Sequence, residues 1–382
     1  MTTGTQLAIP FNRPYHVGRE EAYIADALVR GHASGDGEYT RRCAELLERS
    51  LGAPVVLLTP SCTAALELAA MTLELGPGDE VVVPAFTFVA AANAVVRCGA
   101  RPVFCDVRPD TLNLDERILP ELVTPATRAV VPTHYAGVGC AMEAITTLAA
   151  ERSLAVVEDN AHGLFGSHRG KRLGTFGQMA ALSFHETKNF TCGEGGALIV
   201  NDRSLVDRAV VIRHGGTNRG AFLAGRVDRY TWVDRGSKLV MSDLLAAFLY
   251  AQLEARDEIQ SRRGVIWERY ASGLAAWASS HAVRLPALPQ GCEQTYHLFY
   301  LLMPNRSSRD RLIAAVGEQA IHAVFHYQPL NSSPFGRSLG GREGQCPVAE
   351  DLSQRLVRLP FFTAMTGDEQ ERVIEAVCAF SP

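Results

Sequence analysis

Between residues 55 and 200 short, mainly apolar runs alternate with longer stretches whose apolar positions recur at helical spacing. The runs at 55–58, 80–83, 101–105, 129–132, 154–157, 180–184 and 197–200 are predicted strands. A strand that is apolar on both faces has to be covered on both. Residues 64–75, 90–96 and 142–153 are predicted helices, the first closed by the breaker Gly76-Pro77-Gly78-Asp79. This alternation predicts an α/β fold whose mostly parallel sheet carries helices on both sides. Such sheets bind ligands beyond the carboxyl ends of their strands.

The pattern changes near residue 240. Leu244, Leu245, Phe248, Leu249 and Leu253 fall at helical spacing, so 242–277 is predicted as one long helix or a broken pair. Beyond it, 298–302 and 323–327 are predicted strands, 308–319 and 366–380 helices, and 336–345 a Gly/Arg-rich loop. The expected organisation is a large domain over 1–250 and a smaller α+β domain over 251–382.

Composition narrows the class. The 382 residues are 47% hydrophobic and 20% charged, enough apolar material for one large and one small core. A net charge of −4 offers no nucleic-acid footprint, though a local basic pocket for an anion is allowed. Nine scattered cysteines with no CxxC pair predict reduced thiols and a cytoplasmic location. Residues 1–6 lack a basic stretch followed by an apolar core, so no signal peptide is expected. No apolar run approaches the roughly 20 residues of a membrane span.

The candidate chemistry centres on Lys188, in Ser183-Phe184-His185-Glu186-Thr187-Lys188-Asn189, followed by Gly193-Glu194-Gly195-Gly196. Asp159 ends an earlier apolar run. A post-strand amine and a strand-end carboxylate are the two groups needed to hold pyridoxal phosphate (PLP): the amine bonds its aldehyde, and the acid keeps its ring nitrogen protonated. Ser61-Cys62-Thr63 stands between a predicted strand and a helix start, where amides and helix dipole suit a phosphate. Phe88 is placed to stack on a ring and His162 to contact its oxygen or Asp159. Alone, each piece also suits an ordinary role: helix cap, surface amine, core aromatic. His185, His322 and His326 show no ligand spacing, so no metal is predicted.

Together these segments resemble the DegT/DnrJ/EryC1/StrS aminotransferases, from about Ile9 onward. The likeness includes Ser34-Gly35-Asp36-Gly37, Thr59-Pro60-Ser61-Cys62-Thr63-Ala64-Ala65, Pro84-Ala85-Phe86-Thr87-Phe88, Glu158-Asp159-Asn160-Ala161-His162, residues 183–196 and His326-Tyr327-Gln328-Pro329-Leu330. The resemblance implies an aspartate aminotransferase-like, PLP fold type I enzyme and a homodimer with composite active sites. It assigns Lys188 to the covalent bond and the later proton shuttle, and Asp159 to the ring nitrogen. Phe88 takes the ring face, Cys62, Thr63 and Ser183 the phosphate, and His162 the ring oxygen.

Residues 183–189, Gly215-Gly216-Thr217-Asn218-Arg219 and Val227-Asp228-Arg229-Tyr230-Thr231-Trp232 resemble the enterobacterial-common-antigen transaminases in particular. These aminate dTDP-4-keto-6-deoxy-D-glucose at C4, with L-glutamate as donor by family analogy. Arg219 and Tyr230 are then expected at the nucleotide, and His326 and Tyr327 at the sugar or the donor carboxylate. One position departs from the family pattern: Lys238 stands where many relatives have an Asn that reaches the neighbouring subunit's cofactor phosphate. Either Lys238 makes a charged contact there or that contact is missing. C3 amination and a non-catalytic PLP-binding regulator are the alternatives. A PLP-dependent dehydratase would carry His in place of Lys188. The epimer formed at C4 is left open.

Overall fold

The seven apolar runs pair into one sheet. Its strands are β1 (Val56–Thr59), β2 (Glu80–Pro84), β3 (Arg101–Cys105), β4 (Thr127–Val130), β5 (Ala155–Asp159), β6 (Met179–Ser183) and β7 (Gly196–Val200), in the spatial order β1-β7-β6-β5-β4-β2-β3. This is the arrangement in a computed structural model that describes residues 8–382; residues 1–6, read above for a leader, lie outside the described residues. From β3 to β6 every neighbouring pair is parallel, and β7 runs antiparallel between β6 and β1. Six strands therefore end at one edge, and only β7 begins there. Thr59 of β1 and Ser183 of β6 both register with Gly196.

Side chains alternate across the sheet as the strand period requires. Val81, Val83, Val157, Ala181, Leu198 and Val200 join the core shared with the helices Cys62–Thr72 and Ala90–Arg97. The intervening Val82, Val130 and Val156 pack with the helix Met142–Glu151. Ala180, Leu182, Ala197 and Ile199 pack with the helices Glu38–Leu51 and Asp243–Glu254. Each fully buried aliphatic side chain is worth about 1.5–3 kcal/mol, so two covered faces explain strands with almost no polar position.

The segment 242–277 is the broken pair. The helix Asp243–Glu254 starts at Ser242, whose hydroxyl accepts from the Leu245 amide, and Ala255 separates it from the helix Arg256–Ser280. A further core unites Ile9 with Tyr270, Phe299, Leu312, Phe362 and Val373. There the strand Tyr300–Leu302 pairs antiparallel with Leu356–Arg358. The helix Arg306–Glu318 is capped by Asn305, and the helix Gly367–Cys378 by a reciprocal Thr366/Glu369 capping box.

Two elements differ from expectation. Residues 323–327 form no strand; only Val324 bridges to Arg358. Pro329 has no amide to donate, and the Leu330 amide bonds the Ala85 carbonyl just past β2. The segment is thereby drawn to the carboxyl edge of the large sheet, carrying His326 and Tyr327 with it. The expected loop 336–345 begins inside a short helix, Pro334–Ser338. All nine cysteines are free. Among the described residues no helix is long and apolar enough to cross a membrane, and no cluster suited to a metal occurs.

Candidate active site

A cavity of about 540 Å³ opens at the edge where the six strands end. Ser61, Cys62 and Thr63 reach it from the turn after β1, Thr87 and Phe88 from the turn after β2, and Thr133 from beyond β4. Asp159 and Ser183 stand at the ends of β5 and β6, and Lys188 on the loop between β6 and β7. His162, His297, His326, Tyr327 and Arg358 close the remaining wall. Nine of the sequence-selected residues are thus brought together: Cys62, Thr63, Phe88, Asp159, His162, Ser183, Lys188, His326 and Tyr327. Arg219, Tyr230 and Lys238 are not among them. They are exposed and lie in or beside an outlying segment in which Thr217 bridges Trp232 and Lys238 bridges His214.

The loop holding Lys188 is fixed at both ends. Phe184 and Glu186 amides bond the Gly195 and Gly193 carbonyls, and the Lys188 amide bonds the His185 carbonyl. Next to the lysine, the Asn189 amide group donates to the Thr295 carbonyl at 2.7 Å and to Gln260 at 3.1 Å, while His297 Nδ1 meets its oxygen at 2.9 Å. Burial of the amine brings its pKa down to about 8, against the pull of Cys62 and Asp159 in the other direction. At pH 7 a lysine so placed carries roughly a tenth of its population as free amine, on the order of a hundred times or more the share of an ordinary lysine.

That shift has a consequence for stability. Folding lowers the affinity of Lys188 for its proton, so the unfolded chain binds more protons between pH 8 and the ordinary lysine value of 10.5. The cofactor-free protein is expected to gain stability as pH rises through this window, and below pH 8 the full cost of the buried ammonium is present. Chemical denaturation of wild type and Lys188→Met at pH 7, 8, 9 and 10 checks it. The difference between the two should shrink as pH rises.

Asp159 is 4% exposed. One carboxylate oxygen accepts from the Ala161 amide at 3.2 Å; the other has only a long contact, 3.5 Å, from the Thr133 hydroxyl. Burial raises its pKa, partly offset by that amide and by Lys188. A buried carboxylate with capacity to spare suits a cationic donor such as a protonated ring nitrogen. Its neighbour Glu158 is fully buried and saturated. It accepts the amides of Gly174, Phe176 and Gly177 and bonds His134 at 2.9 Å, which pins the end of β5.

His162 and His297 stack with ring centroids 4.1 Å apart. Burial holds both far below the ordinary histidine pKa, so both are neutral. Burial likewise pushes the Cys62 thiol up, which makes it a packing group and not a nucleophile. Phe88 remains 55% exposed, with a ring face free to stack. At the start of the helix Cys62–Thr72, the Ser61 hydroxyl caps the Ala64 amide, and first-turn amides have no acceptor within the helix. These features fit PLP: an anion-binding helix start, a buried acid for the ring nitrogen and a depressed amine for the aldehyde.

Gly196 is the hinge of this fit. A Cβ there would fall inside van der Waals contact with the Ser61 carbonyl carbon and the Cys62 nitrogen, both backbone. Gly196→Ala is expected to push the helix start off β7 at a cost of about 1–3 kcal/mol and to weaken PLP binding. Thermal unfolding and a spectrophotometric PLP titration read both effects.

Arg358, His297 and Thr133 were not selected from sequence. An arginine inside the apolar run Leu356-Val357-Arg358-Leu359 was the available signal; a charge in a buried strand is rare enough to mark a site. His297 and Thr133 carried none.

The parallel sheet with its one reversed strand, and a lysine and an acid meeting at its carboxyl edge, define an α/β enzyme of the PLP fold type I class. Residues 15–378 match the DegT/DnrJ/EryC1/StrS aminotransferase family, and the chain belongs to that family. It is 33% identical to the spore coat polysaccharide biosynthesis protein SpsC of Bacillus subtilis (strain 168), over 97% of this chain and 96% of the relative. Among solved structures it resembles the aminotransferase TlmJ from Streptoalloteichus hindustanus, with TM-score 0.89 and 32% identity over 97% and 98% of the two chains. Spr1654 of Streptococcus pneumoniae, solved in apo, PLP and PMP forms, is similar in the same degree. Its apo form gives TM-score 0.90 and 27% identity over 97% of each chain.

Proposed function

We propose that this protein transfers the amino group of L-glutamate to C4 of dTDP-4-keto-6-deoxy-D-glucose. At the coarser level it is a PLP-dependent sugar aminotransferase, as its family membership states. The observation that carries the reading is Lys188, with an amine pKa of about 8, in one cavity with buried Asp159 beside a helix start. When bound, PLP supplies an aldehyde to take the amino group and a ring to hold the electron pair left by proton removal. Lys188, as a free amine, would take the proton from the donor carbon and return it to the cofactor's aldehyde carbon, two bonds away across the nitrogen. Asp159 keeps the ring nitrogen protonated. His162 and His297 remain neutral beside it and add no competing charge. Thr63, Ser183 and the amides after Ser61 hold the phosphate, and Phe88 covers the ring.

The choice of sugar rests on residues 183–189, 215–219 and 227–232 and their likeness to C4 transaminases. A homodimer belongs to the same reading. Trp232 at 76% exposure, with exposed Phe222, Leu223 and Val233, forms an apolar surface suited to a second copy. Arg219, Tyr230 and Lys238 would act across it, Lys238 on the partner's cofactor phosphate. An unchanged PLP affinity in Lys238→Ala would remove that last contact. We place the junction between the large and small units near residue 250, where Ala255 interrupts the helices. Incubation with the keto sugar nucleotide, PLP and L-glutamate, followed by NMR of the product, tests the whole. A 4-amino sugar is expected; no amine transfer to this substrate, or transfer only to a dTDP-3-keto-6-deoxyhexose offered in its place, would overturn the proposal.

A further inference from the structure

His162 and His297 are locked in opposite tautomers. The Thr295 carbonyl can only accept, so the Asn189 amide turns its nitrogen toward it at 2.7 Å, with Gln260 as a second acceptor at 3.1 Å. The amide oxygen is left for His297, whose Nδ1 must donate to it at 2.9 Å. His162 is held the other way: its Nδ1 accepts the Ala136 amide at 3.3 Å. Each ring is neutral and holds one proton. His162 therefore carries its proton on Nε2, and His297 carries none there. The rings lie 4.1 Å apart at an interplanar angle of 24°, and both line the cavity. Lys188, Arg263 and Arg358 act on His297, and Lys188 and Arg358 on His162; all are cations, which disfavours a second proton on either ring. The frame around the pair is tight. The Thr295 hydroxyl donates to the His162 carbonyl at 2.5 Å, and a Cβ at Gly137 would overlap that hydroxyl. Buried Arg263 donates to the Tyr296 and His297 carbonyls.

We infer that His297 is a positioning residue: locked by Asn189 and stacked on His162, it holds the His162 Nε2–H on the ring oxygen of bound PLP. The inference rests on the PLP-dependent part of the reading above and takes nothing from the choice of sugar. PLP presents four polar groups. Asp159 suits its nitrogen, Lys188 its aldehyde and the helix start at Ser61 its phosphate. The fourth is the ring oxygen, an acceptor beside the carbon that Lys188 bonds. Only a donor serves it, and of the two stacked rings only His162 offers one at Nε2. A donor to that oxygen stabilises its negative charge, so the neighbouring imine nitrogen gives up its proton more readily. Through the stack, residues 260–297 set the proton affinity of a bond made by Lys188.

Two measurements test this. In cofactor-free protein with ¹⁵N-labelled histidine, NMR is expected to show Nε2–H for His162 and Nδ1–H for His297, and Asn189→Ala should release the second. With PLP bound, the visible absorbance follows the imine proton as pH is varied. His297→Ala is expected to raise that midpoint by about one pH unit, a tenfold change in proton affinity. His162→Ala should raise it at least as far, and the double variant no further than His162→Ala alone. His297→Phe keeps the stack but loses the bond to Asn189, and should fall between wild type and His297→Ala. A purely structural His297 would lower the unfolding temperature and leave the midpoint in place. The same tautomer in both rings, an unmoved midpoint in folded His297→Ala, or additive shifts in the double variant would overturn the assignment. Should His297→Ala not fold, Asn189→Ala decides through the same midpoint. An enzyme that shows these shifts yet transfers no amine to the keto sugar would overturn the reaction proposed above and leave this assignment standing.

Discussion

Lys188→Ala is expected to lower the rate of amine transfer by about 10⁴-fold, the upper range for a positioned proton-transfer group. On the roles proposed for it, the substitution removes both the covalent anchor and the base, and no neighbour is placed to take over. His162 and His297 are neutral but stacked on each other, and His297 is committed to Asn189. Cys62 holds its proton too tightly. The rest of the cradle is untouched, so PLP should still bind, with its absorbance shifted to that of the free aldehyde. The vacated space lies inside a cavity of about 540 Å³, so a small amine such as methylamine should restore part of the rate. Single-turnover absorbance with L-glutamate, with and without methylamine, measures both. A residual rate within tenfold of wild type would remove Lys188 from the chemistry.

Asp159→Asn is expected to cost about 10²–10³-fold in kcat, the usual size for losing one preorganised electrostatic partner of a developing charge. The amide is the same shape and keeps the Ala161 contact, but it cannot stabilise a proton on a ring nitrogen. Because Asp159 is buried and its second oxygen is weakly partnered, no other group takes its place. PLP affinity should fall as well, and the chromophore should lose its protonated-ring form. The effect separates from folding: removing a buried carboxylate whose pKa is already raised leaves the cofactor-free protein no less stable. Glu158→Gln, one residue away, should show the reverse pattern. Its loss of charge weakens three backbone amide contacts and the His134 bond, so stability falls more than kcat.

The sheet was readable because its strands are buried on both faces and therefore lack polar interruptions. Lys188, Asp159 and the 61–63 turn were readable because strand-end chemistry follows from that sheet. Where sequence failed, longer-range forces decided. Residues 323–327 carry strand-like side chains, yet a proline and a bond to Ala85 pull them to the cavity. The helix Glu38–Leu51 buries Cys43, Leu46, Leu47 and Leu51 at helical spacing, a pattern present in the sequence but upstream of the strand–helix alternation. Arg358 and His297 belong to the C-terminal part of the chain, and nothing local says that it folds back over the sheet edge. Arg219 and Tyr230 were chosen for the nucleotide end of the substrate and Lys238 for a neighbouring subunit's cofactor phosphate; all three are exposed and lie outside this cavity.

Gly196 sits between two strand ends, hydrogen-bonded into the sheet on both flanks. The floor of the proposed phosphate site is therefore part of the framework, and moving it would unzip three strands. Traffic in and out is left to the wall that reaches solvent, where Phe88 is half-exposed. Turnover of small molecules and retention of the prosthetic group are thus assigned to different walls of one chamber, so the enzyme can release product many times while its vitamin stays seated.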